Sequence, residues 1–172
     1  LELSYEKFFV KDYFMISTIS VFDSKYKDLM GNEYNTSFNG RYAYNLLAGK
    51  LFNLGKKENK GLEFGMKLTL AGGRYYTPID LTESTLANTA VLNEDLINQS
   101  RYRDYIRLDV RCAYKASMKK VSHVITLDLI NVTNQKNQFQ EIYVGPTSQS
   151  SAYTTFQNQL SFLPFLDYQF HF

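Results

Sequence analysis

Apolar and polar residues alternate one by one along much of this chain, and no other feature restricts its fold so tightly. Between residues 105 and 115, Ile106, Leu108, Val110, Cys112 and Tyr114 share one phase, and Arg107, Asp109, Arg111 and Lys115 share the other. A helix would scatter those apolar side chains around its circumference, whereas a strand gathers them on one face. Residues 62–70 repeat the pattern, with Leu62, Phe64, Met66, Leu68 and Leu70 opposed to Glu63, Gly65, Lys67 and Thr69. In residues 122–129, Ile125, Leu127 and Leu129 oppose Ser122, Thr126 and Asp128. The last segment sets Leu160, Phe162, Leu166, Tyr168, Phe170 and Phe172 against Gln157, Gln159, Ser161, Asp167, Gln169 and His171. Further strands are expected at residues 1–9, 13–26 and 42–52, the last with Leu47 and Leu51 out of phase with Tyr42, Tyr44, Leu46 and Phe52. That makes about seven strands.

The connections alternate in length. Those at 10–12, 55–61 and 117–120 are short. Those at 27–40 and 77–104 are long, and a loop around 145–150 joins the last pair. In an antiparallel meander this places every short turn at one end and the long loops at the other. Outer-membrane barrels are sorted in that way, with periplasmic turns and extracellular loops. A soluble sandwich has no reason for such sorting, and its strands cluster at roughly 5–6 residues. A tilted membrane strand needs about 9–11. No stretch of ~18 uncharged apolar residues encodes a spanning helix, but a barrel announces itself by alternation instead. The chain holds 14 Tyr and 13 Phe and no Trp. Phe8, Phe9, Tyr13 and Phe14 lie beside a short turn, and Tyr26, Tyr42, Tyr44, Tyr75, Tyr76, Tyr102 and Tyr105 beside long loops, as two interfacial girdles would require.

Charge and site chemistry narrow the function. Lys+Arg number 19 against 17 Asp+Glu, so there is no basic surplus to attract nucleic acid. The single cysteine, Cys112, excludes an internal disulfide or a CxxC site. It lies in the apolar phase and is expected to act as a small hydrophobe. His123 and His171 are the two histidines and fall near one rim. A shared metal would need three or four ligands, and no third is indicated. The loop acids Asp80, Glu83, Glu94 and Asp95 lack the spacing of a calcium loop. No catalytic, cofactor or metal residues are therefore assigned, and an enzyme is not expected. The polar phase carries Glu63, Lys67, Arg107, Asp109, Arg111, Lys115 and Asp128, which suit a barrel interior. Of these, Arg107, Asp109, Arg111 and Asp128 are expected to form a cross-strand polar network. Three glycosylation-type triplets begin at Asn35, Asn98 and Asn131, a pattern that arises often by chance.

Four passages, in chain order, resemble one family. Gly72-Gly73-Arg74-Tyr75-Tyr76-Thr77-Pro78-Ile79-Asp80 is similar to the GG-x-x-Y-T-P-x-D passage of TonB-dependent outer-membrane receptors, of the type abundant in Bacteroidetes. Asp104-Tyr105-Ile106-Arg107-Leu108-Asp109-Val110-Arg111 resembles their late D-Y-x-R-L-D-L-R strand. Leu127-Asp128-Leu129-Ile130-Asn131-Val132-Thr133-Asn134 resembles their L-D-I-x-N-V-T-N passage. The final strand, ending at Phe172, resembles their C-terminal strand.

The resemblance implies an all-β fold, namely an antiparallel transmembrane β-barrel wall that forms the C-terminal part of a 22-strand-type barrel. Residues 1–172 would be that part, with the plug domain and the N-terminal strands outside this chain. It further implies energised import of a glycan, peptide or metal chelate across the cell outer membrane. The implied partners are outer-membrane lipid, TonB through the absent plug, and a surface lipoprotein. The barrel-assembly machinery would read the terminal strand, with Phe170 and Phe172 as its signal. Two rival functions compete with transport. One is a complete small barrel of about eight strands with a structural or adhesion role. The other is an outer-membrane hydrolase, which would need a Ser/His/Asp or Asp/His cluster at the rim.

Overall fold

The computed structural model describes residues 1–10, 12–54, 59–118 and 120–172, except for the side chains of Phe9 and Val10. In chain order the elements are β1 (Glu2–Val10), β2 (Tyr13–Val21), β3 (Lys25–Lys27), β4 (Glu33–Asn35), β5 (Tyr42–Leu54), β6 (Lys60–Ala71) and β7 (Tyr75–Tyr76). There follow helix α1 (Leu81–Ala87), a 3-10 turn (Glu94–Leu96), β8 (Ser100–Arg101), β9 (Tyr105–Ser117), β10 (Ser122–Ile130), β11 (Gln138–Val144), β12 (Tyr153–Asn158) and β13 (Leu163–His171). Seven of the strands form one antiparallel sheet in the order β1-β2-β5-β6-β9-β10-β13. The others make small hairpins in the long connections: β3–β4, β7–β8 and β11–β12. The expected all-β, antiparallel architecture and the strand count therefore hold.

Register carries the alternation of each strand across the whole sheet, because residues directly opposite in an antiparallel pair share a face. One row runs Tyr13–Lys50–Phe64–Cys112–Leu127–Leu166. The neighbouring row runs Met15–Ala48–Met66–Val110–Leu129–Pro164. Both belong to one continuous apolar face. On the other face Gly65, Arg111, Asp128 and Phe165 follow one another, and Asn45, Thr69 and Arg107 form another row. Leu47 and Leu51, out of phase in the sequence, fall on this polar face opposite Lys67 and Glu63.

Among the described residues only one hydrophobic residue, Ala113, is fully buried. Leu3, Ile19, Phe64, Ile125, Leu127, Leu166 and many other large apolar side chains lie exposed. Burying one side chain of that size contributes about 1.5–3 kcal/mol, so a free-standing sheet of this composition forfeits the main driving force for folding. The apolar face needs a covering. The sheet is also open: β1 and β13 each have a neighbour on one side only. After seven antiparallel strands these two edges run parallel to each other.

Three expected boundaries move. The strand expected over 13–26 ends at Val21, and Tyr26 belongs to the β3–β4 hairpin, stacked on Tyr34 at 5.6 Å. The cause is Asn39, fully buried, whose Oδ1 accepts from the Ser24 amide while its Nδ2 donates to Asp23 and Asn35. The last strand begins at Leu163, so Leu160 and Phe162 do not continue its apolar row. Their backbone is drawn off by side chains: Asn131 Nδ2 donates to the Leu160 carbonyl, and the Phe162 amide donates to Asn134 Oδ1. The loop around 145–150 is only the tip of the β11–β12 hairpin within a connection spanning 131–162. Most of the turn expected at 55–61 lies outside the described residues.

The sheet meets the loop layer through contacts that admit no side chain. A Cβ on Gly72 would stand 1.8 Å from the Gly40 carbonyl oxygen, and one on Gly73 would stand 1.9 Å from that of Tyr102. Replacing Gly73 by Ala should therefore force the strand ends apart and destabilise the fold by about 1–3 kcal/mol. Gly145→Ala, where the nearest atom is 3.5 Å away, should be nearly silent. Thermal unfolding of both variants checks the contrast.

Candidate functional site

β9 carries more charge on the polar face than any other strand of the sheet. Arg107 and Asp109, two residues apart, share that face, and the guanidinium grips the carboxylate with Nε at 2.8 and 2.9 Å and Nη2 at 2.7 Å. Asp128 lies opposite Arg111 and meets its Nη1 at 3.5 Å. Lys115 reaches Glu63 on β6 at 2.7 Å. The expected single network over Arg107, Asp109, Arg111 and Asp128 is thus two separate ion pairs, because Arg107 folds back along its own strand. The Lys115–Glu63 pair makes a third. Between them lies a cavity of about 290 Å³, with Phe14, Leu47 and Phe165 adding apolar wall to the charged groups. Gly49 makes room there, since a Cβ on it would touch the Phe14 ring at 2.5 Å.

The passages singled out in the sequence meet at the upper rim, where the strands enter the long loops. Asp109 Oδ1, already held by Arg107, accepts the Asn131 amide at 2.9 Å. Asn131 is buried, with a left-handed φ of 52°. Its Nδ2 donates to the Gln135 and Leu160 carbonyls, and its Oδ1 accepts from the Gln135 amide and the Thr133 hydroxyl. Asn137 imitates a strand partner: its Oδ1 accepts the Ile106 amide and its Nδ2 donates to the Ile106 carbonyl. On the other side of β9, Asp104 accepts the Gly73 amide at 2.9 Å and the Tyr42 hydroxyl at 2.6 Å, and Arg101 pairs with it at 3.3 Å. The Tyr42 hydrogen bond, then the Gly73 amide, hold the Asp104 carboxyl below its ordinary range. These motif residues clamp the rim, and none of them presents a nucleophile beside a base.

Above the rim the loops pack on each other. Tyr76 and Tyr102 stack with ring centroids 4.2 Å apart, and Phe156 stands edge-on to both. Burial, and then the nearby Glu141, raise the Tyr76 hydroxyl above its ordinary pKa. Arg74 lies over Tyr102 and Phe139 and donates to the Phe139 carbonyl at 2.9 Å. Glu141 accepts the Ile79 amide. Asp80 caps α1 by accepting from the Thr82 and Glu83 amides, which explains one of the loop acids. Tyr76 and Tyr102 therefore build the loop layer rather than a girdle on the sheet. Phe14 and Tyr105 likewise leave the girdle, since register puts them on the polar face opposite Gly49 and Ala71. Asn98 Nδ2 donates to the Asn35 carbonyl, and with Asn131 buried the triplet asparagines are structural.

The two histidines do not share a site. His123 pairs with Phe170 on the apolar face, and His171 pairs with Ser122 on the polar face. His123 Nδ1 lies 2.8 Å from the Tyr168 hydroxyl. Phe170 packs against His123 and Phe172 at centroid distances of 5.1 and 6.0 Å, and Phe172 is 98% exposed. Among the described residues no three His, Cys, Asp or Glu side chains group as metal ligands do. No family model, no curated protein and no solved structure matches the chain. The Lys115–Glu63 pair and the roles of Asn131 and Asn137 are not among the expectations from sequence. The first was signalled by opposite charges in one phase. The asparagines carried only the signal of left-handed turn residues, which does not say what they hold.

Asn131→Ala should cost on the order of 3 kcal/mol, from lost buried hydrogen bonds and an alanine forced into left-handed backbone. Asn131→Gly, which tolerates that φ, should cost less; equal losses in thermal unfolding would assign the whole effect to hydrogen bonding. The lowered Asp104 pKa means that its carboxylate stabilises the rim at neutral pH. That contribution disappears as pH falls through the lowered value. The Gly73 amide resonance should report this titration in the wild type and lose it in Asp104→Asn.

Proposed function

We propose that this chain is the C-terminal wall of an outer-membrane TonB-dependent receptor, importing a glycan, peptide or metal chelate. The observation that carries the proposal is the seven-strand sheet with one continuous, uncovered apolar face and one charged face, with all three elaborate connections at the same end. Lipid is the covering that such a face fits: outward apolar, inward polar, short turns below and long loops above. Closing β1 onto β13 would create a parallel pair, whereas bacterial barrels are antiparallel with an even strand number. That favours a share of a larger barrel over a complete small barrel with an adhesion role. The charged face with its cavity then looks toward a plug, and the plug reaches TonB. The loop layer lies outside the cell and offers a surface to ligand and to a lipoprotein partner. β13 ends in the aromatic segment that the assembly machinery would read. The four family-like passages support the transport part of this proposal.

Two adjacent residues test the membrane orientation. Leu46 is on the apolar face and Asn45 on the polar one. In the full-length protein, Leu46→Arg should cost about 2–4 kcal/mol in lipid, while Asn45→Arg should cost little. Equal effects in the amount of folded protein recovered from outer membranes would reverse or remove the assignment. The inserted full-length protein should also be retained by the periplasmic domain of TonB. Correct insertion without retention would leave the barrel and remove TonB-dependent transport, turning the balance to the structural barrel.

A further inference from the structure

The apolar face carries a second cavity, of about 690 Å³, on the short-turn half of β1, β2, β5 and β6. Its lining follows the two apolar rows already described. Met15, Ala48 and Met66 stand side by side in one row, and Tyr13, Lys50 and Phe64 in the next. Ala48, the smallest of the six, leaves a trough between longer neighbours. Lys7 lies opposite Met15 and closes the same cavity from β1.

The charges around this trough differ from those on the opposite face. There, Arg107, Arg111 and Lys115 each have a carboxylate, and Lys67 stands opposite Asp109. Here, among the described residues, neither Lys7 nor Lys50 has an acid within ion-pair distance. Lys50 Nζ donates to the Tyr13 hydroxyl at 2.7 Å and lies 4.3 and 4.8 Å from the Tyr13 and Phe52 ring centroids. An ammonium group has three donors, so two remain, and the Tyr13 hydroxyl keeps its own proton to give. Two lysines without an acid partner among the described residues, and a hydroxyl, thus border a hydrocarbon-lined trough. That is the complement of an amphiphile with an anionic head.

We propose that the trough is a binding site for one anionic phospholipid of the leaflet on the short-turn side. The inference rests on the membrane orientation proposed above. Lys7, Lys50 and the Tyr13 hydroxyl receive the phosphate, and an acyl chain lies over Ala48 between Met15 and the Phe64 and Met66 side chains. A net-neutral headgroup brings its own ammonium close to the two lysines and binds less well.

The full-length protein, extracted from outer membranes in mild detergent, is titrated with palmitoyl-oleoyl phosphatidylglycerol and, separately, with the matching phosphatidylethanolamine. Native mass spectrometry counts bound lipid. The wild type should hold one phosphatidylglycerol with about tenfold preference over phosphatidylethanolamine, as two lysines near an anionic group suggest. The double variant Lys7→Gln/Lys50→Gln should lose the preference, and Ala48→Phe should lose retention of both lipids. Lys60→Gln, on the same face and end but outside the trough, should behave as wild type. Equal retention by all variants overturns the site. Loss of a dimer peak in Ala48→Phe without loss of lipid would assign the trough to a second copy and also overturn it. Each variant is run unheated and heated on a denaturing gel. A wild type that shows no heat-modifiable band in the membrane fraction defeats the membrane orientation itself, and the lipid site with it. A heat-modifiable protein with unchanged lipid binding defeats the lipid site alone.

Discussion

Strand register is the constraint on which the rest of this protein depends. Side chains alternate with a period of two, so a slip by one residue moves every side chain of a strand to the opposite face. On β9 such a slip would carry Arg107, Asp109 and Arg111 to the apolar side and put Leu108 and Val110 among the charges. With only Ala113 fully buried among the apolar residues described, no packed core exists to correct the error. Backbone ladders and the sorting of apolar from charged side chains between the two faces must do it together.

Where a short turn joins two strands, the register has a local source. The pairs β1–β2, β5–β6 and β9–β10 are of this kind. The pairs β2–β5, β6–β9 and β10–β13 close around long connections, and turn geometry cannot align them. The rim clamps supply what is missing. Asn39, bonded to Asp23 and to the Ser24 amide, ties the exit of β2 to the approach to β5, and the Asp104 carboxylate ties the end of β6 to the start of β9 and to Tyr42. Asn131, held by Asp109, anchors the exit of β10, and its contact with Leu160 fixes the approach to β13.

This division also decides what could be read from the chain alone. The seven strands of the main sheet were legible because alternation is a local signal that survives translation into a sheet face. β9 and β10 matched their expected phases throughout, and Leu47 and Leu51 were recognisable as misfits before their place on the polar face was known. The loop layer was not legible. The side chain of Asn137 replaces a strand partner for Ile106, 31 positions away, and no pattern within a short window encodes that. For the same reason Tyr76 and Tyr102 looked like girdle aromatics: proximity to a strand end is visible in sequence, while stacking on each other is not. Of the charged residues, face membership was predictable and partner choice was not, since Arg107 reaches along its strand and Arg111 reaches across.

Asn137 has a broader consequence. By occupying both hydrogen-bonding groups of Ile106 with a side chain, it ends the ladder beside β9 with a cap that needs no continuing strand. Together with Asn131 and the paired glycines it makes a collar at the rim. Beyond the collar the loops meet a terminated ladder, and they are tied to the sheet through the collar residues themselves. A loop lengthened or exchanged beyond residue 137 would leave this cap in place, so the sheet below it need not lengthen in step.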